Sequence, residues 1–492
     1  MLTSVKRVGM ALMAFALAAS SLAFGGTIAQ AQTTATGING KWGSAILIQN
    51  VGSGPLNSGD YSIAFYDSNG GTTPLVTYKP DKQIIAGSSA EFYIPNITTA
   101  PTLASGQYSA VISSSQAVKA VVNSSTDSAT TGPWSAFSYE GVDAAEAKSP
   151  LYFPAFYRNY YTFLSELVIQ NAGTTTANVK ATLYNGLSGA SSGEINLGQI
   201  PANASRTYGW NDTKFSSLAS GNTGIYGVVV TADQPLAGIS NIWSSDSTNY
   251  GVGSYNAFTA GANTVYAGSM YNQYYGFVSS LTVQNIDTTT AASVTISYSD
   301  GTTDGPFSIP AGQSRERYQP NNASLSSGNT NGLLSATITS TGAQVVAIVN
   351  IQRKSRTNIA VADPSNPAFG SYSAAITTPS TSVSVPAIFN DYYGYFTAVS
   401  VKNTGAATSI KLTYADGTTW TQNAAAGATV NFSHLPTNPN NPLKTSIQTS
   451  GTVSSTQPLV VVIQHNTDPS LSSYRPAKSP NDFLFVLSGF PK

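Results

Sequence analysis

The chain contains no cysteine, which excludes disulfides and any lipid anchor attached through a thiol. Charge is almost as scarce: Asp, Glu, Lys and Arg make up 9% of the residues, 22 basic against 22 acidic. So few cations cannot build the polybasic surface that nucleic acid requires, so no nucleic-acid partner is expected. They also leave little self-repulsion, and a large, nearly neutral surface associates readily. Only two histidines occur, His434 and His465, with no carboxylate cluster beside them, so each reads as a core or loop residue rather than a metal ligand. Beyond the N-terminus no window has helical periodicity, and no apolar run approaches the length of a membrane span.

What is present begins with an export signal. Lys6 and Arg7 precede an apolar run from Val8 to Phe24, and Ala29-Gln30-Ala31 has the form of a cleavage site. Residues 1–31 therefore read as a signal peptide outside the fold, with the mature chain beginning near Gln32 and carrying 20 basic against 22 acidic residues, about −2. A secreted or cell-surface protein is expected. Its polarity comes from Ser, Thr, Asn, Gly and Tyr, which hydrogen-bond without long charged stems.

Internal repetition is the dominant pattern. The asparagines Asn50, Asn171, Asn285 and Asn403 each end an apolar strand and recur at roughly 115 to 120 residues, a domain-sized period. Each is followed by a strand closing at Asp67, Asn185-Gly186, Asp300-Gly301 or Asp416-Gly417, residues that tolerate the positive φ of hairpin turns. A second turn follows, written Ile309-Pro310-Ala311-Gly312-Gln313-Ser314 in its fullest form. Its third-last position is Gly87, Asn203, Gly312 or Gly427, the residue types expected near αL. Two more strands and a short final one, carrying Trp134, Tyr255, Tyr372 or Tyr474, bring the expectation to about seven strands per repeat. The predicted fold class is all-β: four tandem immunoglobulin-like β-sandwich domains over 32–148, 149–262, 263–381 and 382–492.

The sequence of motifs (a strand ending in Asn-x-Gly, a Tyr-Asp-Gly turn, then Ile-Pro-Ala-Gly-x-Ser) resembles bacterial immunoglobulin-like modules, most closely the CARDB-type adhesion modules of secreted surface proteins. The resemblance spans nearly the whole mature chain. It implies an extracellular binding or structural role and carries no catalytic residues.

Catalytic patterns fail one by one. Gly189-Ala-Ser-Ser-Gly193 matches a nucleophile elbow but lies in a Ser/Gly-rich turn of a repeat without histidine. Carboxylates are few and, apart from the Asp-Gly turns, do not recur at matching positions; those turns lack the further oxygen ligands of a calcium loop. The basic cluster Arg353-Lys354-Ser355-Arg356 occurs once and reads as a solvated loop. No enzyme activity and no cofactor are expected.

Two features point to partners. The first is a set of aromatic loops, in which Tyr157, Tyr160 and Tyr161, then Tyr271, Tyr274 and Tyr275, then Phe389, Tyr392 and Tyr393 surround an amide-bearing turn. They suit either stacking on sugar rings or stiffening of the junctions between repeats. The second is the C-terminal strand Phe483-Leu484-Phe485-Val486-Leu487, for which repeat one has no apolar counterpart at its start. It either closes repeat four or is donated to repeat one of another molecule, head to tail, as in pilin-like strand addition. The expectation is therefore a rod with a structural or adhesive role, whose partners are copies of itself or other surface proteins. The alternative is an extracellular carbohydrate-binding protein that takes polysaccharide on the tyrosine-rich loops.

Overall fold

Each strand-ending asparagine ties three backbone segments together. In the computed structural model all four are fully buried. Asn171 Oδ1 accepts from Gly173 N at 2.8 Å, while its Nδ2 donates to Thr175 O at 2.7 Å and Ile200 O at 2.9 Å. Asn50, Asn285 and Asn403 repeat the same three bonds. A buried amide must find such partners, and here they fix the turn after the strand to the turn that closes the hairpin. The second turn has the backbone its residues announced: φ is +81° at Gly87, +61° at Asn203, +72° at Gly312 and +72° at Gly427.

The residues described are 21–27, 42–97, 103–126, 135–186, 188–216, 218, 223–245, 251–274, 277–322, 332–353, 368–374, 379–467 and 484–491. Among them there is no α-helix, only three single-turn 3-10 segments, and strand dominates throughout. The all-β expectation holds.

Repeat two shows the plan. Its strands are Leu151–Arg158, Phe163–Asn171, Ala177–Asn185, Ser191–Ile200, Ser205–Gly209, Gly224–Ala232, Leu236–Ser244 and Val252–Asn256. The first, sixth, third and fourth form one antiparallel sheet, and the fifth, second, seventh and eighth form the other. The same neighbours recur in the other three repeats, but in repeats three and four the first and second strands also pair and join the two halves into one eight-stranded sheet. Side chains alternate where only one face is covered, as in Ala177–Asn185, and the inner faces of the two sheets share an apolar core, giving a sandwich-like pair. Repeat two has eight strands where about seven were expected, and the residues expected on the final strand of repeats one and four, Trp134 and Tyr474, lie outside the described set. The strands found are Ala136–Glu140 and Phe485–Ser488.

The extended rod is not what forms. The apolar cluster of repeat one takes in Leu164, Val168 and Trp243 of repeat two, that of repeat two takes in Val346, Ile348 and Phe369 of repeat three, and that of repeat three takes in Val462, Leu484 and Val486 of repeat four. The cluster of repeat four includes Leu47 and Val121 of repeat one. The chain is therefore a closed ring. Ser450 Oγ donates to Gly87 O at 2.8 Å across the joint between its ends. The physical cause is that the second and seventh strands are buried on both faces, as in Trp42–Asn50 and Leu236–Ser244, so their outer faces need a cover. Each such side chain contributes about 1.5–3 kcal/mol against about 1 kcal/mol net per hydrogen bond, so apolar burial dominates closure.

The four eighth strands meet at the ring centre. Their corresponding residues Glu140, Asn256, Ser373 and Ser488 form a closed hydrogen-bond circuit. Asn256 Nδ2 donates to Glu140 O at 2.7 Å, Ser373 Oγ to Asn256 O at 2.7 Å, Ser488 Oγ to Ser373 O at 3.0 Å, and Ser488 N–H returns to the Glu140 carboxylate.

The two ends of the chain complete their nearest repeats. Phe485–Ser488 pairs with Val462–His465 as the eighth strand of repeat four, and Phe490–Pro491 adds to its first strand. Ser21–Thr27, part of the stretch read as a leader outside the fold, forms the first strand of repeat one, antiparallel to Gly106–Val111. The slot that the polar sequence after residue 31 leaves empty is thereby filled.

Candidate functional site

The aromatic loops sit where one repeat meets the next, and each ring has its own task. The first ring is an anchor: Tyr157, Tyr271 and Phe389 are all buried. The second stacks on it, Tyr160 on Tyr157 at 6.2 Å, Tyr274 on Tyr271 at 5.9 Å and Tyr392 on Phe389 at 5.6 Å. The third stands out into solvent, with Tyr161 79% and Tyr393 72% exposed, each meeting the second ring edge-on at 4.6 Å. Tyr275, its counterpart in repeat three, lies outside the described residues, as do Phe483 of the tail and Lys354 to Arg356 of the basic cluster. Arg353 is described and lies over the Phe277 ring.

The exposed tyrosines are held in an unfavourable backbone conformation, φ +47° at Tyr161 and +50° at Tyr393. Bulky residues at positive φ cost of order 1–3 kcal/mol and persist where surrounding structure enforces them. Beside Tyr161 the anchor ring is itself fixed by hydrogen bonds. Tyr157 OH donates to Glu316 Oε1 at 3.1 Å and accepts from Asn350 Nδ2 at 2.8 Å, both from repeat three.

Between the loop of repeat two and the fifth strand of repeat three, Ser314–Tyr318, lies a cleft of about 930 Å³. Tyr160, Tyr161 and Phe163 form one wall, and Ser314, Arg315 and Glu316 face them. Burial pushes the Glu316 carboxyl above its ordinary range, against hydrogen bonds from Ser280 and Tyr157 that lower it. Arg317 is committed to Asp304 through two bonds of 2.6 Å, whereas Arg315 lies over the Phe307 ring with only a long bond to Ser308 O. The Ser314 hydroxyl is buried and has no partner within the protein.

A second cleft, about 470 Å³, opens where repeat four meets repeat one. Tyr392 and Tyr393 face Glu91, Tyr93 and Lys82 there. Burial again raises the carboxyl, with Gln448 and Lys82 opposing. Glu91 and Glu316 occupy the same register on the fifth strand, opposite Leu47 and Thr282 of the second. The reading that carboxylates do not recur at matching positions is therefore corrected. Each stands two residues after the serine that ends the Gly-x-Ser turn, a spacing that was available in the sequence.

The remaining candidates take up structural positions. His434 is buried, with Nε2 bonded to Tyr414 OH at 2.8 Å and Nδ1 to Thr397 O at 2.9 Å; His465 Nδ1 bonds Thr397 Oγ1 at 2.8 Å. Among the described residues no group of three or more His, Asp or Glu is arranged to hold a metal ion, and no helix is long and apolar enough to cross a membrane. Leu484 to Leu487 of the tail are buried in their own chain.

No family model and no curated protein matches the chain. Among solved structures, one described as the crystal structure of Thermotoga maritima 1070 aligns at 17% identity, over 23% of this chain and 94% of that one, with a TM-score of 0.19.

Proposed function

We propose that this is an exported, non-enzymatic binding protein of the cell surface or its surroundings, a ring of four immunoglobulin-like sandwiches that takes polysaccharide in aromatic clefts between repeats. The observation that carries the reading is the pair of strongly exposed tyrosines, Tyr161 and Tyr393, kept at positive φ beside clefts rich in hydrogen-bonding groups. Exposed rings offer their faces to the C–H surface of a sugar, while Glu, Asn, Gln and Ser side chains bond its hydroxyls. The exposed ring lies at 70° or 75° to its neighbour, which suits a single twisted chain in solution better than a flat crystalline surface.

The test replaces Tyr161 and Tyr393 together by glycine. Glycine relieves the backbone strain, so the melting temperature should hold or rise. Retention on affinity gels of soluble β-glucan, α-glucan or mannan should fall at least about 10-fold, as expected for loss of stacking platforms. Wild-type protein that passes through all three matrices unretained overturns the reading.

One observation favours a second reading, assembly by strand addition. Cleavage after Ala31 would remove Ser21–Thr27 and leave the edge of Gly106–Ser114 open, a template for a strand from another molecule.

A further inference from the structure

We infer that the ring carries two equivalent polysaccharide sites on opposite sides, the Glu316 cleft and the Glu91 cleft, and so acts as a bivalent cross-linker of soluble polysaccharide chains. This rests on the carbohydrate reading above and adds its valence and its determinants.

The argument is one of correspondence around the ring. Going round, the joints are one–two, two–three, three–four and four–one, so the second and the fourth are diametrically placed. At both, a loop with a buried anchor ring, a stacked ring and an exposed ring at positive φ meets the fifth strand of the next repeat. At both, that strand presents a glutamate at the same register. At both, a cation stands by the cleft, Arg315 in one and Lys82 in the other. At the other two joints the register position is Thr207 or Asn431, opposite Val168 and Ser400. The carboxyl is thus paired with a complete aromatic stack at alternate joints only.

A half-buried carboxyl beside a ring stack is a chemically specific arrangement. Glu316 Oε1 already accepts from Tyr157 OH, so it is the carboxyl's remaining acceptor capacity that meets a sugar hydroxyl while the tyrosines cover the ring, a combination neither the tyrosines nor the glutamate provides alone. The clefts differ in size, about 930 and 470 Å³, so their affinities for one oligosaccharide should differ while their chemistry does not.

Isothermal titration of the full chain with hexasaccharides of the retaining matrix tests this, with β-glucan, α-glucan and mannan hexamers as probes. Two sites per chain are expected. Tyr161→Gly or Glu316→Gln should abolish one, and Tyr393→Gly or Glu91→Gln the other. With the full-length polymer, wild type should bind at least about 10-fold more tightly than either single-cleft variant, through avidity, and should raise the viscosity of the polymer solution where the variants do not. A stoichiometry of one, with Tyr393→Gly leaving the titration unchanged, overturns bivalence but leaves the carbohydrate reading standing. A stoichiometry of three overturns the role given to the glutamates. No binding of any hexamer, together with no retention of the protein, removes both. Melting temperatures of all four variants, expected near wild type, separate loss of binding from loss of fold.

Discussion

Among individual residues, the turn glycines show how one backbone requirement can carry two different loads. Gly312 and Gly427 share φ of +72°, but a Cβ on Gly312 would lie 2.6 Å from the Tyr184 ring of the preceding repeat, whereas one on Gly427 would meet nothing within 4 Å. Gly427→Val should therefore cost only the strain of a β-branched residue in αL, roughly 1–3 kcal/mol, and Gly312→Val that strain plus overpacking, roughly 2–5 kcal/mol. Urea denaturation midpoints of the two variants measure the difference; equal shifts would mean that Tyr184 swings clear. The αL requirement was legible because one position holds Gly in three copies and Asn in the fourth. The second load was not, because Tyr184 belongs to another repeat and no local pattern records it. Glu91 and Glu316 differ: their spacing from the turn serine is in the sequence, but as two glutamates in four copies they look like scatter until their shared register opposite an aromatic loop is seen.

At the level of single strands, the C-terminal tail settles into its own chain. Leu484, Phe485, Val486, Leu487 and Phe490 are all buried, against the cores of repeats three and four. Deleting residues 481–492 should remove more than about 5 kcal/mol from repeat four on area grounds and expand the particle, readable by urea denaturation and small-angle scattering. A truncated protein that keeps its fold and its dimensions but no longer associates with itself would instead favour donation of the strand to another molecule. Sequence reading found this strand from its continuous apolar run, and found the half-buried third strands from their alternation. The final strand of repeat one, Ala136–Glu140, sets the small residues Ala136 and Ser138 beside Phe137 and Tyr139. That mixture is what a strand covered on both faces by close neighbours requires. At Gly253 an added Cβ would come within 2.7 Å of the Ser371 backbone.

Across the whole molecule, the hydrogen-bond circuit at the ring centre makes closure sensitive to pH. Burial raises the Glu140 carboxyl to about 7, against the lowering effect of the Ser488 N–H. A folded-state value above the unfolded one means that the native ring binds the extra proton, so this contribution is complete below about pH 4.5 and is lost as pH rises through 7. His434 and His465 work in the opposite sense. Burial pushes them down to about 4 and about 3, so their contribution is complete above about 6.5 and is lost on acidification. Glu166, which burial also raises to about 7, keeps its share of the alkaline loss, so Glu140→Gln should reduce that loss only in part: melting temperatures of variant and wild type should lie closest at pH 5 and diverge in favour of the variant by pH 8. A gap that does not change between those values would show that Glu140 is not the titrating group. The ring itself could not be read from the sequence, because tandem repeats with short connections are compatible with both a rod and a circle. Only the covered outer faces of the second and seventh strands decide between them.

Closure within one polypeptide also changes how dilution and mutation act. A circle of four separate chains comes apart as it is diluted, and a substitution in it appears at every contact simultaneously. Here the first and last repeats are tethered, so the contact of Leu47 and Val121 with repeat four forms at an effective concentration that dilution does not lower. Each contact is also free to diverge from its siblings. Covalent concatenation is what permits glutamate at two of the four equivalent positions and threonine and asparagine at the others, a twofold pattern written onto a fourfold frame.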